Sequence, residues 1–388
     1  MTRPGDAIRP DGAGAAPPVP RQPAPRPPVP GQPAPRQPAP GRFRAALESG
    51  TFTLTAEIGP PRGADPAAIA RKVEPLRDWV TAVNITDNQG ASVRLSSWAG
   101  SLAAMAAGVE PIMQLTCRDR NRIALQSDLL GAAAMGIPNI LVMTGDHPKF
   151  GDHADAKPVF DLDSVQLLWA ARTMRDEGKL LSGRRLSPPP RWFLGSVENP
   201  SAPPVDFRAA RLGKKIAAGA QFVQTQYVFD VVAFARWMAQ VRDLGLHERC
   251  YILAGVGPII SLRALAHLEQ GVPGVQVPAE VARRLRGVPE DRTAEEGMAI
   301  CAETITALRQ IPGVAGVHVM AVANEHRIPA ILQRAGIGGA GLPATAGRRL
   351  AVKGDSEGGT GRRAGGRDTR GNLEGSSPRG STWTGHAG

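Results

Sequence analysis

Three side chains capable of proton chemistry or polar recognition stand where short apolar runs of the sequence stop: Glu57 in FTLTAEIGPPRG, Asp146 in LVMTGDHP and Gln226 in FVQTQYVFD. A carboxylic acid held at a turn stiffened by Pro60 and Pro61 is a candidate proton donor, although a structural Glu paired with a basic neighbour has the same pattern. Gly145 lets the backbone come close to a ligand, and Asp146 after it carries a negative charge to that place. Gln226 can donate and accept at once, which matches the edge of a heterocycle. Gln224 lies two residues earlier on the same strand face, so one of the pair is free to fill a barrel interior instead. His147 and His153 accompany two aspartates in TGDHPKFGDH, but they lie six apart in a loop without a further ligand cluster, and no metal is expected. In QLTCRDRNR, Arg118, Arg120 and Arg122 flank a helix start, where cations and free amides favour an anion such as a cofactor phosphate. Each of them alone is equally an ordinary solvated arginine. Cys117 reads as a packed thiol, since no His is near it in sequence.

Such residues must be positioned by something, and the apolar runs supply it. FTLTAEI, VTAVNIT, VEPIMQL, IPNILVM, RWFLGSV, FVQTQ, YILAGV and GVHVMAV read as eight strands ending near Glu57, Thr86, Gln114, Met143, Val197, Gln226, Val256 and Val322. They are near-continuous rather than alternating, as parallel strands covered on both faces are. Seven precede a helix-like segment, with starts at Asp65-Pro66, Asp119, Asp163-Ser164 and Ser261. Strand alternating with helix eight times predicts a (β/α)8 barrel of the TIM type, whose chemistry sits at the C-terminal ends of the strands. A doubly wound open sheet is the rival. It lacks support, because Gly59-Pro60-Pro61-Arg62 follows the first strand in place of a Gly-rich dinucleotide turn.

Composition sets the limits of that barrel within the 388 residues. Residues 1–43 are rich in Pro, Ala and Arg, and residues 337–388 in Gly, Arg and Ser, so both are expected to be disordered tails around a barrel domain at 44–336. Residues 1–42 hold six Arg against two Asp, and residues 337–388 hold eight Lys or Arg against four acids. The formal net charge of +11 is therefore mostly a property of the tails, and no specific nucleic-acid partner is implied for the barrel. Three cysteines without CxxC spacing argue for a reducing, cytoplasmic setting. No run is long enough to span a membrane.

The strings AEIGPPRG, VNITDN, QLTCRDRNR, LVMTGDHP, KPVFDLDSVQLL, KKIAAGAQFVQTQYVFD and VHVMAVAN, in this order from Phe52 to Gly336, resemble the methylenetetrahydrofolate reductase family, itself a (β/α)8 barrel. The resemblance implies reduction of 5,10-methylenetetrahydrofolate to 5-methyltetrahydrofolate for methionine synthesis. The implied cofactor is FAD, with NADH or NADPH as hydride donor. It makes Glu57 the general acid that opens the methylene bridge, places Asp146 near flavin and folate, and gives Gln226 contacts to folate and nicotinamide. Thr86 and Lys215 fall on flavin positions. Asp87, Gln114, Thr144 and Gly145 join them, with Phe160 and Asp161 as neighbours. Three residues depart from the pattern of the better-known members: Gln114 stands for His, Thr144 for Arg and Met320 for Tyr. No counterpart of the large eukaryotic regulatory domain is expected, which implies a bacterial-type catalytic unit, and a homo-oligomer is compatible with it. Two other classes stay open. A lyase barrel would use a Schiff-base lysine or a metal, and no Lys lies at the eight strand exits. A noncatalytic folate-binding subunit or scaffold would bind without reducing.

Overall fold

The computed structural model describes residues 41–272 and 275–339. The expectation of disorder in the rest of the two tails lies outside the described residues. Eight strands, β1 (Thr53–Ile58), β2 (Ala82–Ile85), β3 (Pro111–Thr116), β4 (Asn139–Met143), β5 (Phe193–Glu198), β6 (Phe222–Tyr227), β7 (Tyr251–Val256) and β8 (Val314–Val319), form a closed parallel barrel in sequence order. All eight expected strands are present. The last ends at Val319 rather than Val322, where the chain turns outward toward Ala323, whose φ is +58°.

The helices are α1 (Arg42–Glu48), α2 (Ala67–Val73), α3 (Ser97–Ala106), α4 (Arg122–Ala134), α5 (Ser164–Asp176), α6 (Arg208–Ala218), α7 (Val231–Asp243), α8 (Leu262–Gly271), α9 (Ala279–Arg286), α10 (Thr293–Leu308) and α11 (Ile328–Arg334). One follows each strand except β7, which is followed by three. Side-chain caps fix several starts: Asp163 forms a capping box with Gln166 on α5, and Ser261 accepts the Ala264 amide on α8. The α4 start differs from the sequence expectation. Asn121 caps it, because both oxygens of Asp119 are taken by the Arg118 guanidinium at 2.7 and 2.8 Å.

The barrel interior is layered, and the layering places the site. At the N-terminal end Phe43, Ala82, Ile112, Leu141, Phe193, Phe222 and Leu253 form an apolar floor. Two residues further along the strands the same face carries Asn84, Gln114 and Gln224, and two further again Thr86, Thr116 and Gln226. The period-2 geometry of the strand thus changes an oily floor into a polar mouth. Helix α1 closes the floor: Phe43 is fully buried edge-on to Phe222 with ring centroids 4.9 Å apart, and the Glu110 carboxylate accepts the first amides of the helix, those of Arg42 and Phe43. The domain boundary drawn at residue 44 is corrected by this contact. It cuts through α1, whose Arg42 and Phe43 belong to the folded unit.

Gly195 on β5 is part of the floor, since a Cβ there would lie 2.3 Å from the Phe222 ring. We predict that Gly195→Ala destabilises the barrel by about 1–3 kcal/mol through overpacking, read as a lower denaturant midpoint with unchanged slope. A variant as stable as the parent would show that the floor is not tightly packed.

Candidate active site

A cavity of about 700 Å3 opens at the C-terminal ends of the strands. Glu57, Thr86, Asp87, Gln114, Thr144, Gly145, Asp146, Lys215 and Gln226 line it, so nine of the residues singled out in the sequence share one space. Phe160 and Asp161 are not in the lining. Asp161 accepts from Arg122 through both carboxylate oxygens, which holds its carboxyl at about 2, and Phe160 packs half-buried against the outer core with φ +39°.

Many of the cavity's polar groups are committed to protein partners. The Asp87 carboxylate is fully buried and takes both terminal nitrogens of Arg120 at 2.8 and 3.0 Å, besides the Thr116 amide and hydroxyl. Thr86 donates to the Gln89 side chain. Arg118 holds Asp119 and the backbone carbonyls of Asn88 and Asp146, tying the β2, β3 and β4 exits together. The anion reading of Arg118, Arg120 and Arg122 is corrected accordingly: all three are neutralised by carboxylates, and only Arg118 lines the cavity. Gly145 at the β4 exit has φ +88°, and a Cβ there would come within 3.0 Å of Thr116, so the loop carrying Asp146 lies against β3 in a conformation glycine favours. Cys117 is buried, and desolvation pushes its thiol up to about 12, which suits packing and not nucleophilic attack.

On the other side of the mouth Lys215, reaching up from α6, sets its ammonium 2.8 Å from Glu198 at the end of β5 and donates to the Val197 carbonyl. Both side chains are almost fully buried. Burial lowers the Lys215 pKa and the Glu198 charge opposes that shift. A lysine head group therefore does sit at a strand exit. It arrives from the following helix, which reading the strand ends alone could not show.

Four charged groups of the lining make no ion pair with Lys, Arg, Asp or Glu among the described residues. Arg94, whose buried Nε has no partner, and Arg211 make no ion pair among the described residues, and both line the cavity. Asp146 is solvent-facing and likewise unpaired, and Glu57 offers a carboxylate that is only 19% exposed. The cavity thus presents two cations without an ion pair, the exposed Asp146 carboxylate, and Glu57, which meets only the Gln114 amide and the more distant His318 ring. Sequence reading missed Arg94, Glu198, Tyr227 and His318. For His318 the signal was available, since it stands two residues before Met320 on the inward face of β8. No group of three or more His, Cys, Asp or Glu among the described residues is placed to hold a metal, and no helix among them is long and apolar enough to cross a membrane.

A family model described as methylenetetrahydrofolate reductase matches residues 42–336. The chain belongs to that family. It is 27% identical over 236 residues to a probable methylenetetrahydrofolate reductase (NADPH) of Caenorhabditis elegans, covering 59% of this chain and 33% of that protein. It is also 27% identical to methylenetetrahydrofolate reductase 2 of Saccharomyces cerevisiae, covering 66% of this chain and 42% of that protein. The chain thus spans about a third to two fifths of the length of these curated relatives. Among solved structures, a Clostridium thermocellum protein described as binding two copies of 5-methyl-5,6,7,8-tetrahydrofolic acid aligns with a TM-score of 0.54 and 13% identity, covering 76% of this chain and 97% of that one. That likeness is one of fold. The three departures of this chain from the pattern of better-known methylenetetrahydrofolate reductases have definite places: Gln114 donates to Glu57 at 3.3 Å, Thr144 is exposed beside Gly145, and the Met320 carbonyl accepts from the Tyr227 hydroxyl at 3.0 Å.

Proposed function

We propose that the chain reduces 5,10-methylenetetrahydrofolate to 5-methyltetrahydrofolate with NADH or NADPH as hydride donor, and so provides the methyl group for methionine synthesis. The observation that carries this reading is that Glu57 and Asp146 stand, without a close ion pair to Lys or Arg, over one cavity of a barrel of this family. The reaction needs a proton at the bridging nitrogen that leaves and a hydride at the methylene carbon. Glu57 supplies the proton, and ring opening leaves an iminium cation on the substrate. Asp146 faces that cation and stabilises it, as a fixed charge in a water-poor site does at low reorganisation cost. Gln226 meets the polar edge of the pterin, its amide able to donate and accept.

The resemblance implies FAD, and the cavity fits a phosphorylated dinucleotide. The orphaned Arg94 Nε and the free Arg211 are the cations that phosphates would meet, in place of Lys215, which Glu198 already neutralises. Thr86, Thr144 and Gly145 line the same cavity. When bound, the flavin supplies a relay for hydride between nicotinamide and folate. A Schiff-base lyase is disfavoured by the same ion pair, because the Lys215 amine is engaged by Glu198 and the Val197 carbonyl rather than free to attack a carbonyl.

Titration calorimetry with 5-methyltetrahydrofolate tests the site. The parent should bind, and Asp146→Asn should bind about tenfold more weakly, on the order of 1.4 kcal/mol, for the loss of a charged acceptor to a pterin N–H. Its thermal midpoint should stay within a degree or two, because the side chain is exposed and makes no ion pair. A parent that does not bind the folate removes this reading. Equal affinities remove Asp146 from the folate site.

A further inference from the structure

The inner face of β8 sets His318 against β1, with Thr55 and His318 paired in register. The ring is 3% exposed, its Nδ1 lies 3.0 Å from the Thr55 hydroxyl, and its Nε2 lies 3.7 Å from Oε2 of Glu57. Thr55 Oγ1 also accepts from the Gln224 amide at 3.1 Å, and Gln224 is locked in a reciprocal amide pair with Asn84 at 2.6 and 3.0 Å. The Thr55 hydroxyl has one hydrogen, and with the Gln224 amide donating to its oxygen, that hydrogen finds its acceptor at His318 Nδ1. The ring hydrogen of a neutral His318 is then on Nε2, and a cationic ring has one there too. In either charge state the Nε2 that lies 3.7 Å from Oε2 of Glu57 carries a hydrogen, just beyond hydrogen-bond distance of that oxygen.

A second donor points at the same atom: the Gln114 amide from β3, 3.3 Å from Oε2. Oε1 makes no hydrogen bond among the described residues, and Glu57 belongs to the cavity lining. An oxygen that receives N–H donors is the wrong one to carry a proton, since a hydroxyl hydrogen there would meet them head-on. The 3.7 Å separation is the kind of long contact that closes once a ligand is bound.

We propose that His318 and Gln114 are positioning residues that keep the acid proton of Glu57 on Oε1, the oxygen presented to the folate, and that they receive the carboxylate on Oε2 once the proton has been given up. The polar chain Asn84–Gln224–Thr55 sets the hydrogen of His318 on Nε2 and so belongs to the same device. This rests on the reductase reading above, and it makes Gln114 a partner of the acid rather than a cofactor contact.

Paired substitutions separate the two ring nitrogens. His318→Gln keeps an N–H near the Nε2 position, whereas His318→Asn keeps one near Nδ1. In steady-state reduction of methylenetetrahydrofolate, His318→Gln should stay within about threefold of the parent kcat. His318→Asn should lose about 10- to 100-fold, the size of a hydrogen bond to a charged group, with KM for the folate within about twofold. Equal kcat in the two variants, whether high or low, overturns the proposal, because then Nε2 has no special part. If His318→Asn does not fold, Thr55→Val against Thr55→Ser reads the same device. Val, which frees the tautomer, should lower kcat by about three- to tenfold and Ser should not; matching values overturn the proposal. Absence of turnover in the parent would refute the reductase reading itself and is recorded separately from any difference among variants.

Discussion

Glu57→Gln is expected to lower kcat for methylenetetrahydrofolate reduction by about 100-fold or more, the usual loss when a general acid is removed. The amide keeps the shape of the side chain and can still meet Gln114, but it has no acidic proton to give to the leaving nitrogen. Folate affinity should change little by comparison, because the residue acts on a bond that breaks after binding, and the loss should appear in kcat and in kcat/KM alike. The thermal midpoint should remain near that of the parent, since Glu57 makes no close ion pair: its nearest cationic candidate, His318, is 3.7 Å away. A variant retaining a third of parental kcat would assign the proton to another group.

The second large effect is on stability. Lys215→Met should cost about 3 kcal/mol, at the lower end of the range for removing one partner of a buried pair, because Glu198 is left charged in a nearly closed space. Arg208, whose terminal nitrogen is 3.9 Å from Glu198, makes up part of the loss and is the reason for choosing the lower end. For a domain of this size that is a fall in thermal midpoint of roughly 5–10 °C. Adding Glu198→Gln to Lys215→Met should recover part of it, since the cost lies in the orphaned charge and not in the missing methylenes. If the single substitution left the midpoint unchanged, water would have to reach Glu198, and the pair would not be the sealed wall of the cavity described above.

Most of the barrel was legible in the sequence because parallel strands buried on both faces leave continuous apolar runs, and all eight appear where such runs stand. The strand-borne site residues were legible for the same reason. Glu57, Gln114 and Gln226 lie at or near the ends of runs, and period-2 geometry turns them inward. What escaped was anything decided by contact between elements. Arg120 and Arg122 look like an anion site until Asp87 and Asp161, distant in sequence, arrive to neutralise them. Lys215 is a flavin position by resemblance until α6 is docked and its side chain reaches Glu198 at the end of β5. Asp119 looks like a helix cap until Arg118 claims it. The floor helix was cut short because Phe43 follows a Pro-rich stretch, and only the Phe193 and Phe222 rings around it explain why Arg42 and Phe43 belong to the barrel. Phe160 and Asp161 were placed near the flavin by motif order alone. In the loop between β4 and α5 neither lines the cavity, and Arg122 holds Asp161.

The reductase reading is tested most directly by anaerobic turnover of the purified full chain with 5,10-methylenetetrahydrofolate and, in parallel, with NADH and NADPH deuterated at the transferred position, with and without added FAD. The account predicts that at least one nicotinamide is consumed in equal amount with 5-methyltetrahydrofolate formed, and that the activity falls about 100-fold or more in Glu57→Gln. No methyl product with either nicotinamide, flavin present, while the folate binds, would contradict it and leave a folate-binding barrel without reductase chemistry.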